Sequence, residues 1–208
     1  MGAGAPLLGA NLVPGLGPVR AEFLVQGTTD VLAIENIAIT AGKAEKVQIK
    51  WRGRVGRAPL GGTLPISEVQ TFGTLQAVKS SDFAALFGIT VPDIGPVKSS
   101  WQEVDRNGII GVENVKFTAG DGKTFQLVST GRVESVIRYD EAFIDGFNIQ
   151  LAVRGTNTDN LFKLLGIQFP NLGAIDGRVT LSGGIDKLTA EGLHLTVKSS
   201  QGLDIVAK

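Results

Sequence analysis

One phrase is written three times in this chain, at a fixed interval. LLGANLVPGLG (Leu7–Gly17), LFGITVPDIG (Leu86–Gly95) and LLGIQFPNLG (Leu164–Gly173) end at Gly17, Gly95 and Gly173, so that 95 − 17 and 173 − 95 are both 78. Other words keep the same step: Glu35-Asn36, Glu113-Asn114 and Glu191-Gly192, and the GRV triplets at Gly53–Val55 and Gly131–Val133. A register held this long without insertion calls for one supersecondary unit reused along the chain. The units divide as residues 1–79, 80–157 and 158–208, the first short at its N-terminal side and the third at its C-terminal side. Natural arrays end in atypical capping units, so ends that cut through a unit read as an excerpt from a longer array.

Within a unit the apolar period is two, which predicts half-buried strands. Val19, Ala21, Phe23 and Val25 alternate with polar or outward residues, and their counterparts are Val97, Ser99 and Trp101, then Ile175, Gly177, Val179 and Leu181. A second strand carries Ile37, Ile39 and Ala41, then Val115, Phe117 and Ala119, then Leu193, Leu195 and Val197. A third carries Val47, Ile49 and Trp51, then Phe125 and Leu127, then Leu203 and Ile205. The fourth alternates Phe147, Ile149, Leu151 and Val153, with Val69–Ala77 as its earlier copy.

Between the fourth strand and the P-x-[LI]-G turn the spacing predicts one short helix. Phe83, Leu86 and Phe87 fall at i, i+3 and i+4, as do Leu161, Leu164 and Leu165, and this makes a single apolar stripe. Ser81 or Asp82 is placed to cap the first helix and Thr158 or Asp159 the second. Gly88 and Gly166 suit the left-handed position that closes a helix, and Pro92 and Pro170 stop it resuming. The expected fold is therefore mainly β: tandem modules of about four antiparallel strands plus one short helix, stacked into an extended, curled sheet that leaves an open groove.

Charge and cysteine usage remove several function classes. Twenty basic and twenty acidic residues cancel, with no basic run, so no nucleic-acid partner is expected. The absence of cysteine excludes a disulfide scaffold, a thiolate metal site and a cysteine nucleophile. The single histidine, His194, alternates away from Leu193 and Leu195 and is read as a surface residue, without partners for a zinc site or a catalytic triad. Glu35, Glu113 and Glu191 recur one unit apart, too far for acid–base work. They are read as structural, accepting backbone N–H groups where the second strand bulges at Asn36, Asn114 and Gly192. Glu103 is out of pattern, in register with the inward Val25 and Leu181. Either its strand ends at Trp101 or a charge sits at the lip of the groove. No metal, cofactor or enzymatic activity is expected.

The short D-x-L-x-x-L-x-G helix, the P-x-[LI]-G turn and the alternating strands together resemble the repeats of AsmA-like bacterial envelope proteins. The residues that carry the resemblance are Asp159, Leu161, Leu164, Gly166, Pro170, Leu172 and Gly173. In the earlier copy they are Asp82, Leu86, Gly88, Pro92, Ile94 and Gly95, with Phe83 in place of the first leucine. The resemblance implies a non-enzymatic segment of a bridge-like lipid-transfer protein in the periplasm. The parent would be anchored to the inner membrane by parts absent here, and would hold or conduct phospholipid in support of outer-membrane biogenesis. Its partners would be phospholipid acyl chains and neighbouring repeats of the same chain.

The groove would be lined by Val19, Phe23, Val25, Ile37, Ile39, Val47, Ile49, Trp101, Val115, Phe117, Phe125, Leu127, Phe147, Ile149, Leu151, Val153, Val179, Leu181, Leu193, Leu195, Leu203 and Ile205. The alternative is a β-repeat scaffold or adhesin in which the same residues form a dry core. Alternation alone does not separate the two.

Overall fold

A computed structural model of the chain describes residues 16–60, 66–106, 108–138, 141–142, 146–164, 166–168, 171–184, 187–198 and 204–207. Its strands are β1 (Val19–Gly27), β2 (Val31–Gly42), β3 (Val47–Pro59), β4 (Ser67–Ala77), β5 (Val97–Arg106), β6 (Ile109–Ala119), β7 (Phe125–Arg138), β8 (Glu141–Ala142), β9 (Phe147–Gly155), β10 (Ala174–Gly183), β11 (Leu188–Lys198) and β12 (Asp204–Ala207). Helix α1 (Ser80–Ala85) follows β4, and α2 (Asp159–Leu164) follows β9. All strands join one antiparallel sheet in the order β1-β2-β3-β4-β5-β6-β7-β9-β10-β11-β12, with β8 paired to β7 alone. The edges are β1 and β12, so the sheet is open, as the alternating pattern predicts for a mainly β chain. The phrase at Leu7–Gly15 and the motif residue Pro170 lie outside the described residues.

Alternation sorts the faces. On β4, Val69, Thr71, Gly73, Leu75 and Ala77 are buried while Glu68, Gln70, Phe72 and Gln76 are exposed. The pattern changes parity once in β2, β6 and β11. Between Glu22 and Leu24, Ser100 and Gln102, and Arg178 and Thr180, the facing strand carries one extra residue. The backbone there turns left-handed at Asn36 (φ 53°), Asn114 (φ 52°) and Gly192 (φ 62°), so the expected bulge occurs at all three places. Asparagine tolerates this region and glycine adopts it freely, whereas branched side chains clash. Asn114→Gly should therefore fold with near-wild-type stability, while Asn114→Val should cost about 1–2 kcal/mol, measured as a shift in the urea unfolding curve.

The P-x-[LI]-G phrase turns out to be one half of a clamp. The backbone N–H of Ile94 donates to Ser80 Oγ at 2.8 Å, and that of Leu172 donates to Thr158 Oγ1 at 2.9 Å. Asp93 Oδ1 accepts the N–H of Ser80 and of Gly95, and Asn171 Oδ1 accepts that of Thr158 and of Gly173. Gly17, Gly95 and Gly173 share φ values of 110°, 112° and 103°, a range closed to side-chain-bearing residues without strain. The helices stop as expected, with Gly88 and Gly166 at φ 69° and 67° and with Ile89 N–H donating to Ala84 O and Ile167 N–H to Phe162 O. The expected cap of the first helix is corrected: Lys79 is the cap residue and makes no side-chain cap bond. Ser80, one residue before the predicted candidates, uses its hydroxyl to hold the turn and is buried because of it.

The core follows from these corners. Leu16, Ala41, Val47, Leu75, Ala77, Ile94, Val97, Ala119 and Phe125 pack together, with Phe83 and Leu86 of the first helical turn and Leu161 and Leu164 of the second lying against them. A second cluster, Ile34, Ile37, Val55, Val69 and Ile110, packs around the bulges of β2 and β6.

Candidate functional site

The feature that could do work is the apolar face of the sheet. Ile37, Val47 and Phe125 are buried in it. Ile39, Ile49, Trp101, Val115, Phe117, Leu127, Phe147, Ile149, Leu151, Val153, Val179, Leu181 and Leu195 are half-buried. Val19, Phe23, Val25 and Leu193 are exposed, for a topological reason. β1 has a partner on one side only, and the short β12 reaches Leu195 but not Leu193. Leu203 lies outside the described residues, and Ile205 is described only as backbone in β12.

Across β7, β9 and β10 the register aligns Leu127–Val153–Gly177, Ser129–Leu151–Val179 and Gly131–Ile149–Leu181. The two helices cover the apolar face only at the end of the strands where Phe125 and Val97 sit. Among the described residues no second sheet lies over the rest. At about 4.8 Å per strand spacing the sheet extends roughly 48 Å across its strands, and each long strand adds a depth of several apolar side chains.

The opposite face is polar. It carries two depressions at matching places, one of about 470 Å³ around Asn114, Gly131 and Asn148, and one of about 570 Å³ around Asn36, Gly53 and Gln70. In the first of these Arg106 pairs with Glu113, so Glu113 takes a guanidinium and not the backbone N–H groups expected for it. The physical reason is the bulge, which turns this glutamate toward the neighbouring strand's polar side. His194 is half-buried, with Nε2 3.3 Å from Thr196 Oγ1.

Glu103 is the one charge on the apolar face whose place the sequence left undecided. β5 continues past Trp101 to Arg106, and Glu103 lies in register between Thr71 and Val112, with only 9% of its surface exposed. Thr71 Oγ1 donates to Glu103 Oε2 at 2.7 Å, and Trp101 Nε1 donates to Oε1 at 3.0 Å. Burial pushes its carboxyl above the ordinary value of 4.5, and the bonds from Thr71 and Trp101 pull the other way.

The consequence for stability has a definite sign. Between the unfolded and the raised folded pKa, the native chain holds a proton that the unfolded chain has released. Stability from this group is therefore full below the ordinary value and is lost as pH rises through the folded one. Glu103→Gln removes the charge and keeps both partners, its amide oxygen accepting from Trp101 Nε1 and its NH2 donating to Thr71 Oγ1. It should be more stable than wild type at neutral pH and should show a flatter profile in urea unfolding from acidic to mildly alkaline pH.

Among the described residues no group of three His, Cys, Asp or Glu side chains is placed to hold a metal, and no helix is long and apolar enough to cross a membrane. No family model matches the chain, and no curated protein or solved structure is detectably similar to it.

Proposed function

We propose that this chain is a run of stacked β-modules from an AsmA-like envelope protein, curled into a groove that holds phospholipid acyl chains between membranes in the periplasm. The observation that carries the reading is a single open sheet whose wide apolar face is covered only at one end, by two short helices. Large apolar side chains left half-buried in a continuous row are a hydrophobic surface in search of a cover. The 78-residue recurrence of clamp, bulge and glycine turn supports a shape that extends by repetition. Each acyl CH₂ removed from water contributes about 0.8 kcal/mol, so a groove of this kind retains lipid without a head-group pocket. The groove does no covalent chemistry in this reading.

The test is to purify the protein from bacterial membranes and cytosol without detergent and measure bound lipid by native mass spectrometry and organic extraction. Co-purifying phospholipid in a fixed ratio is the expected result. Reproducibly lipid-free protein would overturn the reading in favour of a scaffold with a dry core.

A further inference from the structure

Five neighbouring positions on the apolar face depart together from what their counterparts one unit away carry. Trp51, Thr71, Gly73, Trp101 and Glu103 stand where Ser129, Ile149, Leu151, Val179 and Leu181 stand 78 residues later. The five are adjacent in the sheet, because Trp51 pairs with Gly73, Gly73 with Trp101, and Thr71 with Glu103. Gly73 is the floor: a Cβ there would overlap the indole of Trp101, which lies across it. The two tryptophans, the only ones in the chain, are both half-buried. Trp51 Nε1 is buried without a hydrogen-bond partner. The rows Ile39–Trp51–Gly73–Trp101 and Ile37–Gly53–Thr71–Glu103–Val112 hold one ionisable side chain, Glu103, and no cation.

The carboxylate needs more explanation than Trp101 supplies. An aliphatic side chain fills the same place in β1 and β10, where Val25 and Leu181 stand, and a glutamine would accept the indole N–H as well. An ionised glutamate has about four lone-pair sites, and two of them are used here. The remaining acceptor capacity, the negative charge and two indole faces together suit a cation. The unpartnered Trp51 N–H suits an oxygen on the same molecule.

We infer that Trp51, Trp101 and Glu103 form a head-group station on the apolar face, selective for an amphiphile bearing a primary ammonium beside an ester or phosphate oxygen, of the phosphatidylethanolamine type. The inference rests on the groove reading above. The ammonium pairs with Glu103 and lies against the indoles, Trp51 Nε1 donates to the oxygen, and the acyl chains run along the apolar rows. An anionic head group without an amine keeps the oxygen contact to Trp51 but brings a like charge, and no ammonium, to Glu103.

The chain's own tryptophans report on this site alone. Intrinsic emission is followed while the protein is titrated with dihexanoyl phosphatidylethanolamine or dihexanoyl phosphatidylglycerol, each as monomers. Wild type should bind the ethanolamine lipid about tenfold more tightly, the scale of one charge-assisted hydrogen bond. Glu103→Gln, which keeps the contacts to Thr71 and Trp101, should bind both lipids equally, and so should Glu103→Leu. Equal binding by wild type, or a preference that survives in Glu103→Gln, overturns the station and leaves the groove standing. Binding of neither lipid by any form, with none extracted from the purified protein, overturns both.

Discussion

Replacing Phe125 with alanine should lower the unfolding free energy by about 3–5 kcal/mol, the largest loss expected from any single apolar truncation in the sheet. Phe125 is 1% exposed, and among the described residues no fully buried side chain is larger. It opens β7 directly after the turn in which Asp121 accepts the backbone N–H groups of Lys123, Thr124 and Phe125, so its backbone has little freedom to follow a shrinking side chain. Around it stand Val97, Ala119, Leu127 and Val153, with helix residues above. Alanine at 77 and 119 already brings the strands close, and collapse into the space has little room. A domain's whole stability is about 5–15 kcal/mol, so the variant should be marginal at room temperature. Val47 stands 78 residues before Phe125 in the sequence, and Phe125→Val should lose less. The urea midpoint, read by the emission of Trp51 and Trp101, checks both. A loss under about 1 kcal/mol for the alanine variant would mean that the core around Phe125 relaxes as a soft surface does.

Much of this fold is legible in the sequence because period two and the 78-residue step report on different scales. Period two assigns side chains to faces, and the step says that the same corner recurs. The bulge shows where the first signal misleads. Ile34 and Ile37 are three residues apart, as are Val112 and Val115. A strict alternation reads the earlier member of each pair as facing away. The left-handed Asn36 and Asn114 flip the parity: Ile34 joins the second cluster, and so does Ile110, two residues before Val112 in β6. The clamp was half visible: proline and glycine mark the turn. The roles of Ser80 and Thr158, by contrast, depend on a contact 14 residues away in sequence, to the backbone of Ile94 and Leu172.

Glu103 was undecidable from pattern because alternation gives a face but not a depth. Its depth comes from Trp101 lying across Gly73, a fit between two strands that neither strand announces alone. The same limit governs the site as a whole. Which residues line the apolar face is a local property. Whether that face meets lipid or protein depends on what stands opposite, and local periodicity carries no record of it.

Leu151→Asp is where these two possibilities part most sharply. Leu151 sits mid-strand in β9, paired with Ser129 and Val179 and flanked by Ile149 and Val153. It is half-buried, beyond the reach of the helices. A carboxylate here interrupts the apolar row at the level of an acyl chain, and a chain passing it would have to leave methylenes wet at about 0.8 kcal/mol each. Two or three such groups are worth at least a tenfold loss in retained lipid. The protein itself should suffer less, about 1–3 kcal/mol, because a half-exposed carboxylate keeps part of its hydration. Gln150→Asp, one residue away on the polar face, adds the same charge and should leave lipid content and stability unchanged. Native mass spectrometry of the three proteins, with urea unfolding alongside, reads both quantities. Folded Leu151→Asp that still carries wild-type lipid would remove this row from the path. A lipid-free wild type whose Leu151→Asp variant fails to fold would show instead that a dry core lies beneath the face, with Leu151 as part of its packing.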